Sequence, residues 1–366
     1  MNRLTLKLIV CALALTLFVG AAAAQDSTPE AETAALSAAP AMSLPPAVSL
    51  SGLSPVYQLV NRCSAAALTI QLSYFDWEGN YTTAINGLNP NEADVAVRLD
   101  EMVTFVNQFG FEAVERFGGT VDILKALVAG GFPVLIENSY YEGPGGYDAW
   151  LGHNRVVMGY DDAQGVLLTY DSLLGNGPDN TGRPIPYAEM DERWRPFNRD
   201  YLVVYRPEQA EQVRQILGED WDVETNHRRA LGLSQAELDT DLEDGFTWFN
   251  IGSSMLALGD APTAALAFDR AFEIGLPWRM LWYQYGPLEA YLQMGRFEDV
   301  ITRAQSVITN TGGVEESYYY MGLAHEAIGD LQRAIRYMEI AVYGNRYYTP
   351  AATELARMQA AAASTS

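Results

Sequence analysis

Three glycines, Gly259, Gly295 and Gly329, stand 36 and 34 residues apart, each in a similar frame of small and aromatic residues. Trp248, Ile251, Gly252, Met255, Ala264, Phe268 and Ala271 surround the first, and Tyr318, Met321, Gly322, His325, Ala334 and Ala341 surround the third. Pro287, Leu288 and Tyr291 repeat the frame more loosely around the second. A period of this length holds one pair of helices, which cannot bury its apolar face alone and must stack on further copies. Small residues let the paired helices approach closely, and the aromatics fill the gaps. The spacing predicts an all-α domain over 245–360, preceded by a helical linker over 207–244.

The frame resembles the tetratricopeptide repeat, which implies a concave face that recruits a partner protein or a substrate. Asp239, Asp241, Glu243 and Asp244 lack the ligand pattern of a calcium loop and read as a solvated linker face; no metal or cofactor is expected.

The N-terminal segment reads as an export signal. Arg3 and Lys7 precede an apolar run from Leu8 to Val19, and an Ala-x-Ala site ends at Ala24. That order predicts a signal peptide over 1–24 and a protein that is secreted or held at the cell surface. The run is too short for a membrane span, and no stretch of about 20 apolar residues follows it. Residues 25–52, rich in Ala, Ser, Thr and Pro, read as a disordered tether, with structure beginning near Leu53.

The chain carries a formal net charge of −23, and removal of the signal takes away two more positive charges. A balance this acidic argues against nucleic acid or anionic lipid as partners.

Between 53 and 206 the pattern is α+β, with N-terminal helices followed by a largely antiparallel sheet. Helices are predicted at Ser64–Trp77, Asn91–Gln108, Thr120–Leu127 and Tyr187–Trp194. Strands are predicted at 111–117, 133–136, 153–160, 166–170 and 201–205.

Cys63 is the single cysteine outside the signal. An exported protein with one unpaired thiol calls for a reason, and catalysis supplies one. A cysteine nucleophile reacts as its thiolate, which a helix N-terminus and a nearby imidazolium stabilise. Cys63 stands where a loop becomes an Ala-rich helix. His153, of three histidines, alone shares its domain and reads as the base. Asp171 ends the next strand and would orient that imidazole. Gln58 is the candidate oxyanion donor. His227 and His325 read as packing residues, and the glycine-rich loop Tyr140–Trp150 as a groove wall or lid.

Together, Gln58, Cys63 with its helix, the run Gly152-His153 to Asp162, and Tyr170-Asp171 resemble the secreted relatives of the double-glycine leader peptidases, which are papain-like cysteine peptidases. The resemblance covers roughly 53–205. It implies a papain-like fold, peptide-bond hydrolysis, and a site of Cys63, His153, Asp171 and Gln58. The chain departs from that family's pattern by having Ser64 where a glycine follows the cysteine, and Ser172 where a proline follows the aspartate. Two other readings stand beside hydrolysis: a catalytically degenerate scaffold that grips peptides, and a transglutaminase-like acyl transferase.

Overall fold

The computed structural model describes residues 44–364. The expected signal peptide and most of the tether lie outside them. The described chain is one compact body.

Its first part is a seven-stranded antiparallel sheet with helices on both faces. Strands β2 (Glu112–Arg116), β7 (Tyr201–Tyr205), β3 (Val134–Tyr141), β4 (Trp150–Asp161), β5 (Val166–Asp171) and β6 (Arg183–Pro186) lie side by side in that order. β4 outruns β3 at one end, and β1 (Ala47–Ser49) pairs with the part left over, Ala47 opposite Asp161. Its backbone comes so close that a β-carbon on Gly159 would lie 2.6 Å from the Val48 carbonyl, a position only glycine fills. The end of the segment expected to be a tether is therefore part of the sheet.

Alternate strand residues face opposite layers. Leu135, Val156, Leu202 and Val204 pack beneath α1 (Cys63–Ser73), α2 (Tyr81–Leu88) and α3 (Leu99–Asn107). Val134, Ile136, Val157 and Val203 pack on α4 (Val121–Ala129), α5 (Tyr187–Trp194) and α6 (Ala210–Leu217). α1 is buried all round, with Ala65, Ala66, Leu68, Ile70 and Leu72 at 0 % exposure, so apolar residues cover every side of it.

The helix expected over 91–108 begins only at Leu99. The reason lies in the preceding loop, whose polar groups are committed elsewhere. Arg62 takes the carbonyls of Asn91 and Asp94, and Asn91 Nδ2 reaches Gly313 O at 3.1 Å and Glu315 at 2.9 Å. α2 and β6 were not expected. Thr82, Thr83 and Asn86 disfavour a helix in α2, and two prolines disguise β6.

α7 (Val223–Leu238) leads into three helical pairs. These are α8 (Gly245–Ala257) with α9 (Ala261–Ile274), α10 (Gly286–Gln293) with α11 (Phe297–Thr311), and α12 (Glu315–Ala327) with α13 (Leu331–Gly344). α14 (Thr349–Ser364) closes the stack. The repeat frame does the packing: a β-carbon on Gly252 would lie 2.7 Å from Phe268, and one on Gly322 would lie 2.8 Å from Met338. The marker glycines 259, 295 and 329 all take left-handed turns between the paired helices. His227 stacks on Phe117 and His325 on Tyr337, both as packing residues. The α+β domain followed by all-α repeats is the architecture read from the sequence.

The two parts are closely joined. Arg279 donates to the carbonyls of Asp148 and Trp150, Gln284 to that of Pro196, and Asn250 to that of Arg195. Arg98 pairs with the buried Glu316 at 2.7 Å. The glycine-rich loop is clasped here rather than free: Trp150 stacks on Phe197 and meets Tyr283, and Tyr147 meets Phe246.

Candidate active site

Cys63 opens α1 because the chain before it turns sharply. Asn61 takes a φ of 56°, and Arg62 does not cap the helix with its side chain. The first-turn N–H groups of α1 thus lack a side-chain partner, which leaves partial positive charge at the sulfur's end of the helix.

β4 and β5 deliver the other two groups. His153 lies in β4, and Asp171 ends β5 opposite Arg155. His153 Nε2 is 2.9 Å from Asp171 Oδ1, so Nδ1 is left for Cys63, and the imidazole and the thiol shift each other's titration. The structure therefore brings Cys63, His153 and Asp171 into one contact chain. Cys63 keeps 7 % of its surface, His153 3 % and Asp171 none.

Asp171 is held firmly. Its Oδ1 also accepts from the N–H groups of Leu173 and Leu174, each at 2.8 Å, and its own N–H donates to Asn176 Oδ1. Arg155 Nε stands 3.0 Å from Oδ2, out of hydrogen-bond alignment, so that attraction is one of charge.

The charges reinforce one another. Burial pushes the Cys63 thiol up, but the hydrogen bond and charge of His153 outweigh it. The Asn154 backbone and the Ser64 hydroxyl add smaller effects, and the thiol titrates below its ordinary value. Burial pulls the His153 imidazole down, yet Asp171 and the sulfur raise it to about 9. Burial would raise Asp171 as well, but His153 and Arg155 hold it below the usual carboxylate range. The arrangement favours a thiolate–imidazolium pair beside a permanently ionised carboxylate.

Gln58 is placed differently. Its N–H donates to the Ser172 carbonyl at 3.0 Å, and its Oε1 accepts from the Ser172 hydroxyl at 2.8 Å. These bonds set it beside the residue after Asp171. A further polar side chain within reach of the sulfur is Asn154, whose Oδ1 lies 3.5 Å from Sγ. Ser64 donates to the same oxygen at 2.8 Å and receives the Val97 N–H at 3.4 Å. Ser64 therefore holds Asn154 in place. The Asn154 Nδ2 group is buried and has no partner.

Sequence reasoning gave Asn154 and Arg155 no role and noted Ser64 only as a departure from the family pattern. A signal was present, because Asn154-Arg155 interrupts an apolar strand, and polar side chains buried in a sheet require partners.

Among the described residues, no group of three His, Cys, Asp or Glu side chains is arranged to hold a metal, and no helix is long and apolar enough to cross a membrane.

Comparison with known proteins assigns the first domain. Solved structures that resemble the chain include a C39-like peptidase from Bacillus anthracis, at 17 % identity and TM-score 0.35, covering 44 % of this chain and 98 % of that one. MamA (41-end) from Desulfovibrio magneticus RS-1 matches at 18 % identity and TM-score 0.34, covering 42 % of this chain and 81 % of that one. These likenesses are too distant to carry an argument. No curated protein matches the chain. Residues 50–201 match the Peptidase_C39 like family. The sheet domain thus has a C39-peptidase-like fold, and helical repeats follow it.

Proposed function

We propose that this protein is an exported cysteine peptidase whose repeat domain presents substrate or a partner protein to the catalytic domain. The observation that carries the reading is the contact chain from Cys63 through His153 to Asp171 at an uncapped helix start. The Cys63 thiolate attacks a peptide carbonyl carbon, forming a C–S bond as the carbonyl electrons move to oxygen. His153 gives its proton to the departing amine nitrogen as the C–N bond breaks, which leaves a thioester. His153 then takes a proton from water, which attacks the thioester and releases the acid and the thiolate.

Two groups are the candidates to hold the oxyanion: the backbone N–H at the start of α1 and the Asn154 amide, whose unpartnered Nδ2 would have to turn toward the site. Asp171 and Arg155 act as positioning residues through the imidazole. Export rests on the segment 1–24.

A second reading, a peptide-gripping scaffold without turnover, is favoured by one observation: Cys63 is only 7 % exposed. The two readings part in one experiment. A mixture of unfolded secreted proteins is incubated with the native protein or with Cys63→Ala, and new peptide termini are counted by mass spectrometry. Termini that appear only with the native protein support hydrolysis. Identical mixtures overturn it and leave the scaffold. Products joined to an added amine in place of water would assign acyl transfer.

A further inference from the structure

A cavity of about 510 Å³ opens between α10, α12 and the start of α14, at the seam with the first domain. That size is ordinary for a ligand site. Its walls are aromatic, from Tyr319, Tyr320 and Tyr348, and its titratable side chains include the carboxyl groups of Asp100, Glu289 and Glu316 and the single cation Arg98. Glu289 lies exposed on α10, whereas Glu316 on α12 is 2 % exposed, so carboxyl groups run from the surface to the floor.

Arg98 does not neutralise this site. Its guanidinium is shared between both oxygens of Asp100, at 2.9 and 3.1 Å, and Oε1 of Glu316 at 2.7 Å. Glu316 Oε2 is buried without a partner. Burial and the neighbouring Glu315 and Glu101 push the Glu316 carboxyl well above the usual carboxylate range, and a cation that reaches it would favour its ionised form. The chain also demonstrates that these walls accept such a group, since the Arg98 guanidinium carbon lies 5.5 Å from the centre of the Tyr348 ring.

We infer that this cavity binds an arginine or lysine side chain of a peptide, its stem against the tyrosines and its charge toward Glu289 and Glu316. A depth running from an exposed to a buried carboxylate suits a long side chain with a terminal charge. The chain's net charge of −23 draws basic segments toward it. The site is independent of the catalytic reading, because it requires no chemistry at Cys63.

Calorimetric titration of the full chain carrying Cys63→Ala, which keeps peptides intact, tests the assignment. The probes are acetyl-Ala-Ala-Arg-Ala-Ala-amide, the same peptide with glutamine for arginine, and free arginine. The arginine peptide is expected to bind saturably and at least tenfold tighter than the other two. Glu289→Gln, exposed at the mouth, and Tyr319→Ala, which also touches the repeat core through Tyr348, should each weaken it severalfold; Glu316→Gln should do so more strongly if the protein folds. Equal binding of the arginine and glutamine peptides, or affinity indifferent to both mouth variants, overturns the proposal. Free arginine binding as tightly as the peptide overturns the peptide as its source.

Discussion

The Tyr283 ring, carried by the repeat domain, packs directly on Gly152, the residue before His153. A β-carbon on Gly152 would lie 2.8 Å from that ring and 2.9 Å from Phe197. The helical repeats thus form part of the wall beside the candidate base, and the Tyr283 hydroxyl is close enough to feel the Cys63 charge.

Gly152→Ala should therefore disturb both domains at once. Overpacking of this kind costs about 1–3 kcal/mol. The expected result is a lower midpoint in urea unfolding together with altered alkylation of Cys63. Tyr283→Ala, which removes the covering ring, should speed alkylation without raising the thiol's titration midpoint. Unchanged rates in both variants would show that the seam does not control access to the sulfur.

The alkylation of Cys63 should follow pH in a way set by His153. In the native protein the imidazole outweighs burial, so the midpoint lies below the ordinary thiol value of roughly 8.5. In His153→Ala burial is opposed only by the smaller effects of the Asn154 backbone and Ser64, and it moves the midpoint above that value. Iodoacetamide rates between pH 5 and 10 measure it. Catalysis needs the imidazolium as well, so kcat/KM should also fall on the alkaline side near pH 9, where His153 loses its proton.

Asn154→Ala and Gln58→Ala separate the two oxyanion candidates. Loss of a true donor lowers kcat by about 10²–10³-fold with little change in KM. That loss is expected for Asn154→Ala, whose side chain reaches the sulfur. Gln58→Ala should act mainly by loosening Ser172, with a smaller effect. The reverse order would return the role to Gln58.

Arg155→Leu should destabilise the fold by less than the cost of a fully unpaired buried charge, about 3–5 kcal/mol, because it removes one of the two cations beside the buried Asp171 and leaves His153 in place. Denaturant unfolding measures the loss. Cys63 alkylation at neutral pH should persist wherever the variant remains folded, since His153 still meets both partners. A variant as stable as the native chain would show that the hydrogen bonds from Leu173 and Leu174 suffice for Asp171.

The sequence made some of this legible and hid the rest for physical reasons. Cys63, His153 and Asp171 each sit at or near the boundary of a helix or strand, where a chemical group differs visibly from its apolar neighbours, and the structure brings them into contact. Gln58 lies in an irregular segment without periodicity, so its bonds to Ser172 left no local trace. Asn154 and Ser64 depend on each other across 90 residues, a pairing that no local pattern records. The repeats were readable because each unit restates the same packing problem. β1 was not, because three residues gain strand character only from the uncovered edge of β4.

The loop from Asn91 to Arg98 touches Ser64 at one end of its reach and Gly313, Glu315 and Glu316 at the other. A single stretch of eight residues thus serves as both the shelf beneath the nucleophile and the hinge plate for the third repeat. The two halves are consequently poor candidates for exchange as cassettes. Grafting a foreign helical array onto the catalytic half would leave Asn91 and Arg98 without their anchors, and the disorder would surface beside the sulfur.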